Sequence, residues 1–255
     1  MIDLREKAFL DLQVEGSQLF FGEGVVSVVP AVRTLEDARY SLYDRKTTGP
    51  EILYWMYREV ARLADLELLH SLGLIFDVTI IRPGLVGREY IKTVGHYHSI
   101  KPGTNVAYPE VYEVLSGEAT FLLQRAADTP GRVDDVVVIT AHPGDKVVMP
   151  PGYGHTTINA TDEYLVMADM VAATNSSVYG DIKRLQGGAY FHIREGEEAW
   201  VRNRKYTATP QLRRLCAHNY PEFQLFSDQP MYKLILDQPD AFRFLTYPEE
   251  FAFEL

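Results

Sequence analysis

The segment Gly144-Asp145-Lys146-Val147-Val148-Met149-Pro150-Pro151-Gly152-Tyr153-Gly154-His155-Thr156-Thr157-Ile158-Asn159 places a short apolar run, 146–149, before a Pro-Pro-Gly turn. Proline presets one turn dihedral and glycine supplies the unusual one, so the chain reverses there and His155 is expected to point inward. Upstream, Gly95-His96-Tyr97-His98 sets two histidines at alternate positions. On a strand, residues two apart share a face, so both imidazoles reach the same space, as a shared metal requires. Between these segments lies Glu110-Val111-Tyr112-Glu113-Val114-Leu115-Ser116-Gly117, a strand closed by a turn glycine. Glu110, Tyr112 and Val114 share one of its faces, and Glu113 takes the other. Taken singly, each feature is ordinary. A lone strand glutamate is usually solvated, and an isolated His-x-His pair often binds nothing. Their combination carries the reading.

Around these segments, 74–82, 88–94, 109–115, 119–125, 136–141, 146–149 and 163–171 are short and rich in Val, Ile, Tyr and Thr. Turn pairs such as Pro83-Gly84, Pro102-Gly103, Ser116-Gly117 and Pro143-Gly144 separate them. Many short strands at such spacing predict a sandwich or barrel. Before them, Leu53, Met56, Val60, Leu63 and Leu66 recur at helical spacing between Pro50 and Gly73, which predicts an amphipathic helix over 50–72. Beyond Gly187 the signals weaken. Tyr190 to Val201 is expected to pair as strands and 209–218 to form a short helix. No low-complexity tract or fixed-period repeat interrupts the chain.

The composition agrees with a soluble protein. The 255 residues are 46% hydrophobic, enough for one core with decorations or for two small domains. The 25 Lys and Arg against 35 Asp and Glu give a net charge of −10, a poor default for binding nucleic acid or an anionic membrane. The single cysteine, Cys216, closes no intramolecular disulfide. The charged start, Met1 to Lys7, lacks the apolar core of a signal peptide, and no apolar run approaches a membrane span. A cytoplasmic location is expected.

The motifs resemble the cupin family. Its second motif is matched by Gly144, Pro150, Gly152, His155 and Asn159, and its first by His96, His98, Glu110 and Gly117. The gap from His98 to Glu110 is longer than usual, so Ser99 to Pro109 reads as an insertion at the mouth of the site. A narrower resemblance covers about residues 73–185. Arg82-Pro83-Gly84, Gly87, Lys92-Thr93, Pro109-Glu110-Val111-Tyr112 and Tyr179-Gly180 look like the cupin-type glucose-6-phosphate isomerases known chiefly from archaea. That resemblance implies a mainly β fold, a double-stranded β-helix or jelly-roll barrel. Residues 1–72 then form an N-terminal extension with a helix packed on the barrel, 73–187 the barrel, and 188–255 a C-terminal extension of the same domain. It also implies a homodimer and one divalent metal per subunit on His96, His98, Glu110 and His155. Such a ligand set accommodates Fe, Mn, Zn, Ni or Co.

The implied reaction interconverts glucose 6-phosphate and fructose 6-phosphate, a step of glycolysis and gluconeogenesis. The hydrogen moves either as a proton, with Glu110 as base, or as hydride, and ligation of a metal lowers the basicity of Glu110. The same match assigns Thr79, Thr93, the Gly95 backbone and Tyr179 to substrate and Tyr112 to the site. Arg88 and Lys92 fall out of register with the histidines and read as a solvated face. Two positions depart from the pattern: Val171 and Ser177 stand where best-known members carry tyrosine and histidine. The alternatives are another cupin sugar or sugar-phosphate isomerase, an Fe(II) cupin dioxygenase, and a non-catalytic sugar-binding cupin.

Overall fold

Apolar β-branched and aromatic side chains fill a pleated, half-buried surface well. In the computed structural model, which describes residues 1–255 except the side chains of Glu197 and Glu198, most such runs are strands. The strands that build the site are β1 (Ala31–Thr34), β2 (Ile52–Tyr57), β3 (Leu74–Ile81), β4 (Tyr97–His98), β5 (Glu110–Ser116), β6 (Ala119–Ala126), β7 (Val133–Ala141), β8 (Lys146–Met149), β9 (Tyr153–Ile158), β10 (Leu165–Ala172) and β11 (Arg213–Cys216). A six-stranded sheet runs β8-β5-β10-β3-β2-β1, and a four-stranded sheet runs β9-β6-β7-β11. The fold is the mainly β cupin barrel, with the two sheets facing each other across the site.

Apart from its edge strand β1, the large sheet is largely buried on both faces, which accounts for its near-continuous apolar strands. On β3, Ile75 and Thr79 face the interior cavity. Phe76, Val78 and Ile80 face outward into a second core formed with the two ends of the chain. There Leu4, Leu12 and Val14 meet Tyr232, Phe242 and Phe244, all inaccessible to solvent. Each such large side chain removed from water contributes about 1.5–3 kcal/mol. The terminal segments therefore cover the back of the barrel.

The helix expected over 50–72 does not form. Ile52–Tyr57 is β2, hydrogen-bonded between β1 and β3, and only Leu66–Leu72 is α-helical. Because β2 is buried on both sides, period-two alternation is lost and Leu53, Met56 and Val60 imitate a helical stripe. Gly73 does cap the true helix in the left-handed conformation, at φ 66°. The short helix expected over 209–218 is also absent. Arg213–Cys216 instead pairs in parallel with β7. The strand expected over 88–94 shortens to Glu89–Tyr90. Beyond it, the Thr93 and His96 amides donate to the Thr157 and His155 carbonyls of β9, at 2.8 and 3.2 Å.

Candidate metal centre and substrate pocket

His155 lies on β9 directly beside His96. Their backbones form an antiparallel pair, with the His155 amide donating back to the His96 carbonyl at 3.0 Å. Gly95 permits this approach, since a Cβ there would collide with Thr156 Oγ1 and come within 3.1 Å of the His155 carbonyl oxygen. His98 follows on β4, and Glu110 opens β5 from the opposite sheet. The four side chains converge so that one ligand atom from each lies within 4.8 Å of all the others.

Two details fit a cation. The Nε2 atoms of His98 and His155 each stand 3.1 Å from Glu110 Oε2, yet that buried oxygen has no hydrogen-bond partner. Donors about 2.1 Å from one ion and at right angles would stand about 3.0 Å apart. In addition, His98 Nδ1 lies 2.8 Å from the Tyr108 carbonyl. A carbonyl only accepts, so Nδ1 carries the proton and a neutral ring turns its Nε2 lone pair toward Glu110. A lone pair facing a carboxylate is repulsive without a cation between them.

Electrostatics favours the same protonation states. Burial lowers the pKa of His96 well below the ordinary histidine value, with the neighbouring imidazoles adding to the effect, and burial likewise lowers His155. His96 and His155 are thus neutral imidazoles, the form that binds metal.

His96, His98 and Glu110 form part of the wall of a cavity of about 310 Å³, at the small end for ligand sites. Thr79, Thr93, Tyr112 and Tyr179 line it, together with Val171 and Ser177. The Tyr112 hydroxyl is 3.3 Å from His155 Nε2 and is kept protonated by burial and then by Glu110 and Asp169. Thr93 Oγ1 also accepts from the Thr157 amide at 3.0 Å, so it braces β9 as well. Gly95 sits between the lining residues Val94 and His96. Lys92 is not on a solvated face as its register suggested. It is buried, ion-paired to Glu89, and donates to the Ser41 carbonyl at 2.9 Å. Arg88 is exposed and pairs with Glu195.

Sequence reasoning missed Arg33, Tyr54, Arg58 and Asp169. Arg33 and Tyr54 are cross-strand partners on β1 and β2, and Arg33 Nε donates to the Tyr54 hydroxyl at 3.2 Å. That hydroxyl also accepts from the Val94 amide at 3.1 Å. Arg58 pairs with the buried Asp77. Burial, together with the charges of Glu110 and Asp77, raises the Asp169 carboxyl well above the ordinary range. With 50–72 taken for a helix, no periodicity places β1 or β2 in the cavity. The insertion Ser99–Pro109 lies at the ligand set, since its Tyr108 orients His98. Lys101 near its start is held by Glu249 at 2.5 Å and by the Tyr247 ring.

A family model described as glucose-6-phosphate isomerase (GPI) matches residues 31–211, starting at the first residue of β1. A glucose-6-phosphate isomerase of Pyrococcus abyssi is 31% identical over 195 residues, covering 73% of this chain and 93% of that protein. One of Thermococcus litoralis is 30% identical over 176 residues, covering 66% and 83%. Among solved structures, an oxalate decarboxylase of Bacillus subtilis is similar over 51% of this chain and 29% of that one, at 19% identity and a TM-score of 0.35.

Proposed function

The chain belongs to the glucose-6-phosphate isomerase family, and from that premise we propose that it interconverts glucose 6-phosphate and fructose 6-phosphate, with one divalent metal held by His96, His98, Glu110 and His155. The observation that carries this reading is the polarity of the cavity. The ligand set includes Glu110 on β5, while Arg33 stands on β1, four strands away in the same sheet. Among the described residues Arg33 makes no ion pair, so its guanidinium is available to a phosphate, for which its planar fork is suited.

Thr79, Thr93 and Tyr179, with Tyr54 beside Arg33, supply the hydroxyls around that anion, and the Gly95 backbone borders it. At the other end, a bound divalent ion (Fe, Mn, Zn or Ni) supplies Lewis acidity to the C1 and C2 oxygens. Glu110, as a carboxylate, accepts a proton or a hydroxyl hydrogen bond and donates none. The Tyr112 hydroxyl, held protonated, donates to a substrate oxygen beside His155. Val171 and Ser177 are smaller than the tyrosine and histidine expected there and leave room for other sugar phosphates. A homodimer and a cytoplasmic location are carried with the family reading. No helix of the described residues is long and apolar enough to cross a membrane.

The test supplies fructose 6-phosphate and detects glucose 6-phosphate through a coupled dehydrogenase. The protein is stripped with chelator and reconstituted separately with Fe(II), Mn(II) and Zn(II). Activity lost with chelator and restored with metal is the expected result. No turnover with any of the three, while elemental analysis finds metal bound, overturns the substrate assignment.

A further inference from the structure

One buried polar group in the cavity has no role in the reaction as proposed above. Asp169 is 3% exposed, lines the cavity against the Glu110 carboxylate, and no protein donor reaches its Oδ2. The other residues that β10 contributes to the cavity, Met167 and Val171, are apolar, so Asp169 is the polar point on that wall. The neighbouring carboxyl on β3 is already satisfied. Asp77 takes the Arg58 guanidinium on Oδ2 and the Glu59 amide on Oδ1 at 2.8 Å. A buried oxygen left unmatched is unfavourable, and native proteins keep one where another molecule completes it.

The sheet order locates that molecule. β10 lies between β5, which carries the ligand Glu110, and β3, which carries Thr79. The register sets Asp169 opposite Tyr112 on one side and Asp77 on the other. Adjacent strands are about 4.8 Å apart. A phosphosugar with its carbonyl end at the ligand set and its phosphate toward Arg33 therefore lays its middle carbons over β10. We propose that Asp169 binds a hydroxyl in the middle of the substrate chain, on C3 or C4, and so selects the configuration of the sugar. The contact needs only an oxygen acceptor or donor at that point and discriminates strongly, because a substrate lacking the hydroxyl leaves the buried carboxyl unmatched.

This inference rests on the phosphosugar orientation proposed above, so its test reads binding separately from turnover. Calorimetry on the metal-loaded protein compares glucose 6-phosphate with its 3-deoxy and 4-deoxy analogues. The wild type is expected to lose about 10- to 100-fold in affinity for one of the two. In Asp169→Leu, a near-isosteric apolar change, the same analogue should bind within about 3-fold of glucose 6-phosphate, and Asp169→Asn should fall between. Melting temperature and metal content show that each variant is folded and loaded. If Asp169 merely braced Glu110, the deoxy loss would be equal in wild type and variant, and that result overturns the proposal. It does so with isomerase turnover intact. Absence of turnover with the deoxy coupling present instead overturns the isomerase reading and leaves Asp169 as a hydroxyl-binding residue.

Discussion

Replacing Glu110 with glutamine is expected to stabilise the metal-free protein while abolishing its response to metal. Glu110 Oε2 is buried without a hydrogen-bond partner and faces two imidazole Nε2 atoms at 3.1 Å, one of which presents a lone pair because Nδ1 of His98 is committed to the Tyr108 carbonyl. Glutamine keeps the shape, removes the charge and offers two N–H donors to the same nitrogens. Relief of an unmatched buried group is worth about 1–3 kcal/mol. At about 2–4 °C per kcal/mol for a chain of this size, the melting temperature in chelator should rise by about 2–12 °C. Metal at about 100 times its Kd should stabilise the wild type by about 2.7 kcal/mol, or roughly 5–10 °C, and the variant by much less. Scanning calorimetry across a Mn(II) titration should therefore show the wild type rising while the variant stays nearly constant. A variant that melts lower in chelator and keeps the full metal-induced shift would refute the reasoning.

Three further outcomes follow from named contacts. Arg33→Gln should raise KM for fructose 6-phosphate by about 10- to 100-fold with kcat little changed; steady-state kinetics that show kcat falling at constant KM would refute a phosphate-anchoring role. Glu113 faces away from the cavity and pairs with buried Lys146 at 2.9 Å, so Glu113→Ala should destabilise by about 3–5 kcal/mol while kcat/KM stays within about 2-fold, and denaturant unfolding alongside the activity assay checks both. Because burial lowers the pKa of His96 and His155 below 6.5, both rings stay neutral into more acid solution, and metal content measured after equilibration should hold down through pH 6.5 before falling. Metal lost already between pH 7 and 6.5 would contradict the neutral, buried ligand set.

Much of the site was legible because its parts are local. The alternation in His96-Tyr97-His98 fixes two imidazoles to one face, and the period of β5 separates Glu110 and Tyr112 from Glu113. The structure places Glu110 and Tyr112 in the cavity and Glu113 on Lys146 and the Met231 amide. The Pro150-Pro151-Gly152 turn likewise announces the return that brings His155 inward. These are consequences of backbone geometry over a few residues, and a sequence carries them unaided. What only the tertiary structure decided is non-local. Ile52–Tyr57 imitates a helix because both its faces are covered, one by the cavity and one by the terminal segments, and no window of sequence shows that. Arg213–Cys216 is a strand because β7 offers it an edge. Lys92 is buried because Glu89 and Ser41 lie against it. Arg33 and Asp169 reach the site because strand order sets β1, β3, β10 and β5 across one wall. Strand pairing between segments distant in the chain is chosen by total burial and hydrogen-bond satisfaction, and those are properties of the assembled sheet.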